Sequence, residues 1–368
     1  MRYHEPSSSR KMFVRLISGF IPFRQMRHNL RDGFFYLPFS YCMKGAFRYY
    51  FYTATHSNYL NKNCKYYLSI VACCKDEGAY IEEWVEYYRL QGVDHFYLYN
   101  NNGTDNSKEI LKKYIDSGVI TWIEWPGKQQ QLPIYENAVD TFKYETRWMA
   151  IVDLDEFIVP MNKQKLSDVL KTFEYANQIL IPWVIYGSSG LKKKTEGLVI
   201  ERFTKHQRGL WPQNKAIINP RATLYPHVHS SLIFGKTINF RNDETYPRVV
   251  INHYVTKSAE EYEAKKQRGD AFFKVSAHTD GYFKVHDRND VEDGELMREY
   301  ALAIKKSMRE RERERERIRL VNSAGCRCRC RFEANPSSSK AFGESHHTSS
   351  IRRNRDPLPI NSFSPAML

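Results

Sequence analysis

The chain has 368 residues, enough for one large or two ordinary domains, and 42% of them are apolar, enough for a full core. The net charge of +14 sits at the ends: residues 1–31 hold seven Lys/Arg against one acid, 305–368 hold fifteen against seven, and 32–304 balance at 34 each, which argues against a nucleic-acid-binding body. Seven cysteines in an odd set speak against a secreted disulfide framework and favour a reducing compartment, and no run approaches the roughly 18 apolar residues that cross a bilayer.

Met12, Phe13, Leu16, Ile17 and Phe20 fall at helical spacing among Arg10, Lys11 and Arg15, and Pro22 breaks the pattern. Such a basic amphipathic segment suits an anionic membrane surface; packing on its own domain is the competing reading. We expect residues 1–64 to form a basic arm, and the protein to be cytoplasmic and peripheral at the inner face of the membrane.

From Tyr66 the pattern becomes regular. Leu68–Cys73 reads as a strand, with Cys73 and Cys74 on opposite faces, and Asp76-Glu77-Gly78 turns it into a helix carrying Ile81, Trp84, Val85 and Tyr88 on one face. Gly92 ends that helix and His95–Tyr99 is a second strand. Asn106, with Glu109 three residues on, predicts a capped helix with Ile110, Leu111, Tyr114 and Ile115 inward. Val119–Trp125 is a third strand, residues 134–146 a third helix, and a fourth strand runs to Asp153. This βαβαβαβ order predicts an α/β fold with a mostly parallel central sheet flanked by helices.

The most informative stretch ends that fourth strand. The apolar run Trp148–Val152 stops at Asp153 and Asp155, where open α/β sheets bind ligands. Buried carboxylates need a cation or hydrogen bonds, and a hard divalent ion is one answer. A polar cap pairing with lysines explains the spacing as well. A helix through Leu166, Val169, Leu170 and Phe173 follows, then short strands and loops from Ile179 to about Phe240, then a helix capped by Ser258 with Glu261. From Arg309 the Arg-Glu alternation, Cys326-Arg-Cys328-Arg-Cys330 and a Ser/Pro/Asn-rich end are low in complexity. The cysteines lack zinc-ligand gaps, the Arg-Glu alternation suits either helix or disorder, and we expect 309–368 to be a low-complexity, largely disordered tail.

Several stretches resemble a nucleotide-diphospho-sugar transferase of the GT-A type. Ser69-Ile-Val-Ala-Cys-Cys-Lys-Asp-Glu-Gly78 is similar to its opening strand and turn. Glu82–Val93 followed by His95–Asn101 is similar to its first helix and second strand, and Asp153-Leu-Asp-Glu-Phe157 to its metal-binding DxD in the DxDEF form. Gly197–Phe203, Lys215-Ala-Ile-Ile218 and His253–Ser258 resemble glycosyltransferase family 92 and its bacterial relatives more closely, over about residues 66–300. The segment 21–31 is similar to the basic leader of cell-envelope glycosyltransferases.

The resemblance implies a domain over 65–308 that moves a galactose-like hexose from a UDP-sugar to a glycan or lipid-linked acceptor with inversion, using Mn²⁺ or Mg²⁺. Asp153, Asp155 and His253 would hold the ion, with His227 and His229 competing for the histidine role. Ala72, Cys73, Lys75, Glu77, Asn101, Asp105, Asn137 and Asp153 would contact the nucleotide sugar. Glu201 and Asp243 are candidates for the carboxylate base, Glu244 a further one, and Trp183, Tyr186 and Trp211 for stacking on sugars. Two other classes stay open. A haloacid-type phosphatase also uses Asp-x-Asp, but with Thr or Val where Phe157 stands; a non-catalytic membrane-associated binding module would carry a structural Asp pair.

Overall fold

A computed structural model describes residues 7–19, 37–56, 59–60, 64–241, 249–269 and 278–332. The chain divides into two units, 1–312 and 313–368, and the first contains every strand among the described residues. In the second, the described residues 313–332 are helical, as the end of α10 (Glu295–Phe332). Over these residues the Arg-Glu alternation takes the helical of its two expected states: both residues favour helix, and alternation sets opposite charges three apart. Residues 333–368, with the end of the expected tail, lie outside the described residues.

The sheet is built by β1 (Tyr66–Cys74), β2 (His95–Asn100), β3 (Ile120–Glu124), β4 (Thr146–Ile151), β5 (Glu156–Pro160), β6 (Gln178–Ile185), β8 (Asn214–Ile218), β11 (Thr237–Asn239) and β12 (Val249–His253). Its order is β3-β2-β1-β4-β8-β6-β12-β5, with β11 joined to β6; two short pairs, β7 (Lys205–His206) with β13 (Val291–Glu292) and β9 (Thr223–Tyr225) with β10 (Leu232–Ile233), lie outside it. The β1–β2, β2–β3, β1–β4, β6–β11 and β6–β12 pairs are parallel, so the sheet is mostly parallel, as expected of a GT-A architecture. The chain winds outward from β1 to β3 and then returns to place β4 on β1's other side. That reversal opens a crevice beyond the carboxyl ends of β1 and β4.

Both faces of β1 are buried, which is why it reads as one apolar run. Leu68, Ile70, Ala72 and Cys74 face one core with Trp84, Tyr88 and Leu111; Val71 and Cys73 face a second with Tyr135 and Met149. The helices α3 (Ile81–Leu90), α4 (Ser107–Asp116) and α6 (Leu166–Lys171) contribute to the first core, against which Tyr282 of α9 (Asp280–His286) also packs, and α5 (Gln131–Phe142) contributes to the second.

Three local expectations shift and one holds. The helix placed at 134–146 occupies Gln131–Phe142, because Pro133 is tolerated in a first turn. The strand expected to reach Asp153 stops at Ile151, leaving both aspartates in the turn before β5, a strand the sequence reading did not separate. Asn106 makes no side-chain cap on α4; Asp105 takes the Ser107 amide at 3.1 Å instead. The Ser258–Glu261 capping box of α8 (Ala259–Arg268) forms as expected.

The stretch expected to be an arm is partly built into the fold. In α2 (Phe39–Thr55), Cys42, Ala46 and Tyr49 recur at helical spacing and pack with Leu224, Tyr225 and Phe234. The Tyr49 hydroxyl accepts from Asn177 at 3.2 Å. In α1 (Ser8–Gly19), Val14 is buried, while Met12, Phe13 and Leu16 are 70%, 63% and 65% exposed. Among the described residues, no helix is long and apolar enough to cross a membrane.

Candidate active site

The crevice contains a cavity of about 260 Å³ lined by Cys73, Lys75 and Glu77 from the β1 end, Gln131 from α5, and Asp153 and Asp155 from the β4–β5 turn. Trp183, His229 and His253 close the far side, and Lys265 and Arg268 come from α8. Helix α3 fixes the acidic turn from behind. The Trp84 indole N–H donates to the carbonyls of Asp153 and Glu156, both at 3.1 Å. The Tyr88 hydroxyl donates to Glu156 O at 3.0 Å and accepts from Ile158 N at 3.0 Å, and the Tyr87 hydroxyl donates to Ile158 O at 2.7 Å.

The two aspartates have different partners. Asp153 accepts from Gln131 Nε2 at 3.1 Å and Tyr135 Oη at 3.4 Å through one oxygen, and the other lies 2.6 Å from Lys215 Nζ. Lys215 is 1% exposed and also lies 3.4 Å from Glu156 Oε2. Burial pulls the Lys215 ammonium down, but Asp153 and Glu156 outweigh it and hold it above its usual range. Burial pushes the Glu156 carboxyl well up, against the pull of Lys215.

Asp155 pairs with Lys265 Nζ at 2.6 Å and lies 3.5 Å from His253 Nε2. Burial would raise its carboxyl, yet Lys265 and His253 hold it well below the usual range. His253 is lowered by burial, so it is a neutral imidazole near pH 7, the form that binds metals. Its ring packs on Trp183 at 4.5 Å, and its Nδ1 is buried without a hydrogen-bond partner among the described residues.

An acidic oxygen beside a neutral imidazole, 3.5 Å apart on a cavity wall, is a donor pair that fits Mn²⁺ or Mg²⁺. Asp153 is turned to Lys215, and no cluster of three His, Cys, Asp or Glu converges on one point among the described residues. His229 shares the cavity, but its Nδ1 faces Asn214 O at 3.0 Å and burial lowers it to about 4. His227 is also lowered by burial and is not among the lining residues.

Of the expected nucleotide contacts, Cys73, Lys75, Glu77 and Asp153 meet at the cavity. Burial raises the Cys73 thiol to about 12, so it is no nucleophile at neutral pH. Others serve the scaffold: Ala72 is fully buried within β1, Asn101 donates to the carbonyls of Trp125 and Gly127 at 2.8 and 3.0 Å, Asp105 accepts from Gly78 N at 2.6 Å, and Asn137 accepts from the Tyr99 hydroxyl at 2.7 Å. Glu201 is likewise engaged away from the cavity lining. It accepts the Leu198 amide at 3.4 Å at the start of α7 (Val199–Arg202) and pairs with Lys305 at 2.6 Å, so its carboxylate is already committed. Asp243 and Glu244 lie outside the described residues. Trp183 lines the cavity; Tyr186 packs on Tyr254 and Trp211 on His286 instead.

The sequence reading assigned no role to Gln131, Lys265 or Arg268, and quoted Lys215 only within a motif. Lys265 and Arg268 sit three apart on α8 after the Ser258 cap, which places both on one face. Arg268 pairs with Glu77 at 2.6 Å and donates to Asp76 O at 3.0 Å, and Lys75 donates to Arg268 O at 2.6 Å, tying α8 to the β1 turn.

The model of glycosyltransferase family 92 matches residues 70–294. The chain belongs to that family. Similar to this family 92 chain is a glycosyltransferase family 92 protein of Ricinus communis, 25% identical over 217 residues, which are 56% of this chain and 39% of that protein. A galactan beta-1,4-galactosyltransferase of Arabidopsis thaliana is 27% identical over 111 residues, 27% of this chain and 22% of that one. The family 92 chain thus spans less than half the length of these relatives. Among solved structures, S. aureus TarS is matched at TM-score 0.35 and 10% identity, over 60% of this chain and 69% of that one. A mannosyltransferase from Pyrobaculum calidifontis in complex with GDP-Man and Mn²⁺ is matched at TM-score 0.27 and 12% identity, over 39% and 46%. Likenesses this loose say nothing about the site.

Proposed function

We propose that this protein transfers a hexose, galactose-like, from a UDP-sugar to a glycan or lipid-linked acceptor in cell-surface polysaccharide synthesis, with inversion and with a divalent cation. The observation that carries it is the acidic turn at the sheet's switch point, where Asp155 faces a neutral His253 inside a cavity. Family membership supports glycosyl transfer, and the named galactosyltransferase relative supports the sugar.

Asp155 and His253 would hold Mn²⁺ or Mg²⁺, leaving positions for phosphate and water. When bound, the ion supplies positive charge where the departing diphosphate gains negative charge. The chain's own groups do the rest. Gln131, Tyr135 and Lys215 hold Asp153 in one orientation, and Lys75, Lys265 and Arg268 surround the same space with positive charge. Trp183 offers a flat face beside them for a sugar ring.

Screening UDP-hexoses with Mn²⁺ tests the reading: turnover in the wild type and its loss in Asp155→Asn are expected. Undiminished turnover in that variant removes the metal role. A non-catalytic module is the competing reading, favoured by the lysine already paired to each aspartate; absence of turnover with every donor would support it.

We also propose a peripheral, cytoplasmic-face association with an anionic membrane. The exposed Met12, Phe13 and Leu16, interspersed with Arg10, Lys11 and Arg15, support it.

A further inference from the structure

A second cavity, of about 440 Å³, adjoins the first and shares Glu77, Val255, Lys265 and Arg268 with it. Tyr80, Thr256, Lys257, Ala264 and Gln267 are among its other walls. Two of the shared cations are committed, Lys265 to Asp155 and Arg268 to Glu77. Glu261, also on the wall, is held by Arg202 at 2.7 Å and by the Ser258 cap.

Lys257 is different. It is 5% exposed, and among the described residues it forms no ion pair and no hydrogen bond through its side chain. Its ammonium lies 4.5 Å over the Tyr80 ring, a weak substitute for a counter-ion. Its backbone holds φ at +52°, an uncommon conformation for a residue with a side chain. Burial lowers its proton affinity. A buried, unpaired cation is costly to retain unless something anionic comes to it. Beside it, Glu77 Oε2 is also buried without a hydrogen-bond partner among the described residues, and Arg268 on the other oxygen offsets that carboxylate's charge. The wall therefore offers one cation for an anionic group and one acceptor for a neighbouring hydroxyl.

We propose that this second cavity binds the anionic group, a carboxylate or a phosphate, of the sugar that accepts the transferred hexose. The inference rests on the glycosyl-transfer reading for the word acceptor, but the binding itself does not. Lys257 lines the second cavity and not the first, so an anion there lies beside the donor site rather than in it.

Thermal denaturation of the full chain without donor tests it, at constant ionic strength set with chloride. Glucuronate or inorganic phosphate at about ten times its dissociation constant should raise Tm by roughly 2–4 °C, and glucose should not. A shift with glucuronate identifies a carboxylate, and a shift with phosphate alone a phosphoryl group. The shift should persist in saturating UDP. Lys257→Met should abolish it while leaving the unliganded Tm unchanged or higher, because an unpaired buried charge has been removed. Three outcomes overturn the proposal: no shift with either anion, a shift that UDP eliminates, or an undiminished shift in Lys257→Met. Loss of UDP-sugar turnover elsewhere would sink the transferase reading and leave this result standing.

Discussion

Lys215 holds the acidic turn together. It sits between Asp153 at 2.6 Å and Glu156 at 3.4 Å, nearly out of contact with solvent. Removing it leaves two neighbouring carboxylates without their cation, so Lys215→Met should cost about 3–5 kcal/mol of stability, read by urea denaturation. A cost under about 1 kcal/mol would mean the turn does not depend on that charge. Glu83 carries a separate pH signature. It accepts the amides of Val199 at 2.8 Å and Ile200 at 3.1 Å, and burial raises its carboxyl to about 7. The folded state therefore binds this proton more tightly than the unfolded chain, whose carboxyl sits near 4.5. The stability it contributes is full below pH 4.5 and is lost as pH rises through about 7. Glu83→Gln should flatten the fall in Tm across that window, and an unchanged slope would assign the dependence to another group.

At the scale of elements, α3 matters most. Its apolar face was legible from Ile81, Trp84, Val85 and Tyr88, because an i, i+3, i+4 pattern has one inward direction. What that pattern does not reveal is that Trp84, Tyr87 and Tyr88 also bond the backbone of the β4–β5 turn. Trp84→Phe keeps the burial and deletes the N–H, leaving two carbonyls short of a donor. It should lower stability by about 1–3 kcal/mol, and UDP-sugar turnover should fall more than UDP binding, because the aspartates lose their fixed position. Equal falls in both would point to a general loosening instead. The strand β5 escaped notice because Phe157-Ile-Val-Pro160 continues the apolar run past the aspartates; its antiparallel pairing with β12 comes from residues about ninety positions later.

At the scale of the molecule, the N-terminal region divides. Residues 1–31 carry part of the excess positive charge, seven bases against one acid, whereas α2 is wedged against Leu224 and Phe234. Deleting 1–31 should leave thermal stability nearly intact and abolish flotation with anionic lipid vesicles. Deleting 1–56 should instead expose the faces of Leu224, Tyr225 and Phe234 and give aggregated protein on size exclusion. Unchanged lipid binding after the shorter deletion would remove the membrane proposal; a soluble, cooperative product of the longer one would show that α2 is dispensable.

Period and order in the sequence determined the alternating helices and strands from Tyr66 to Ile151, the mostly parallel sheet they imply and the place of Asp153 and Asp155 at its edge. Those signals are local: an apolar run of six residues or a face repeating every three to four is set by neighbours in the chain. Tertiary structure decided which charges meet. Lys215, Lys265 and His253 reach the acidic turn from 60 to 110 residues away, and Glu201 is drawn off by Lys305, 104 residues on. Ion pairing depends on distances between strands and helices that no spacing along the chain encodes, so the same aspartates read alike as a lysine-paired cap or a metal site until the fold put a neutral histidine beside one of them.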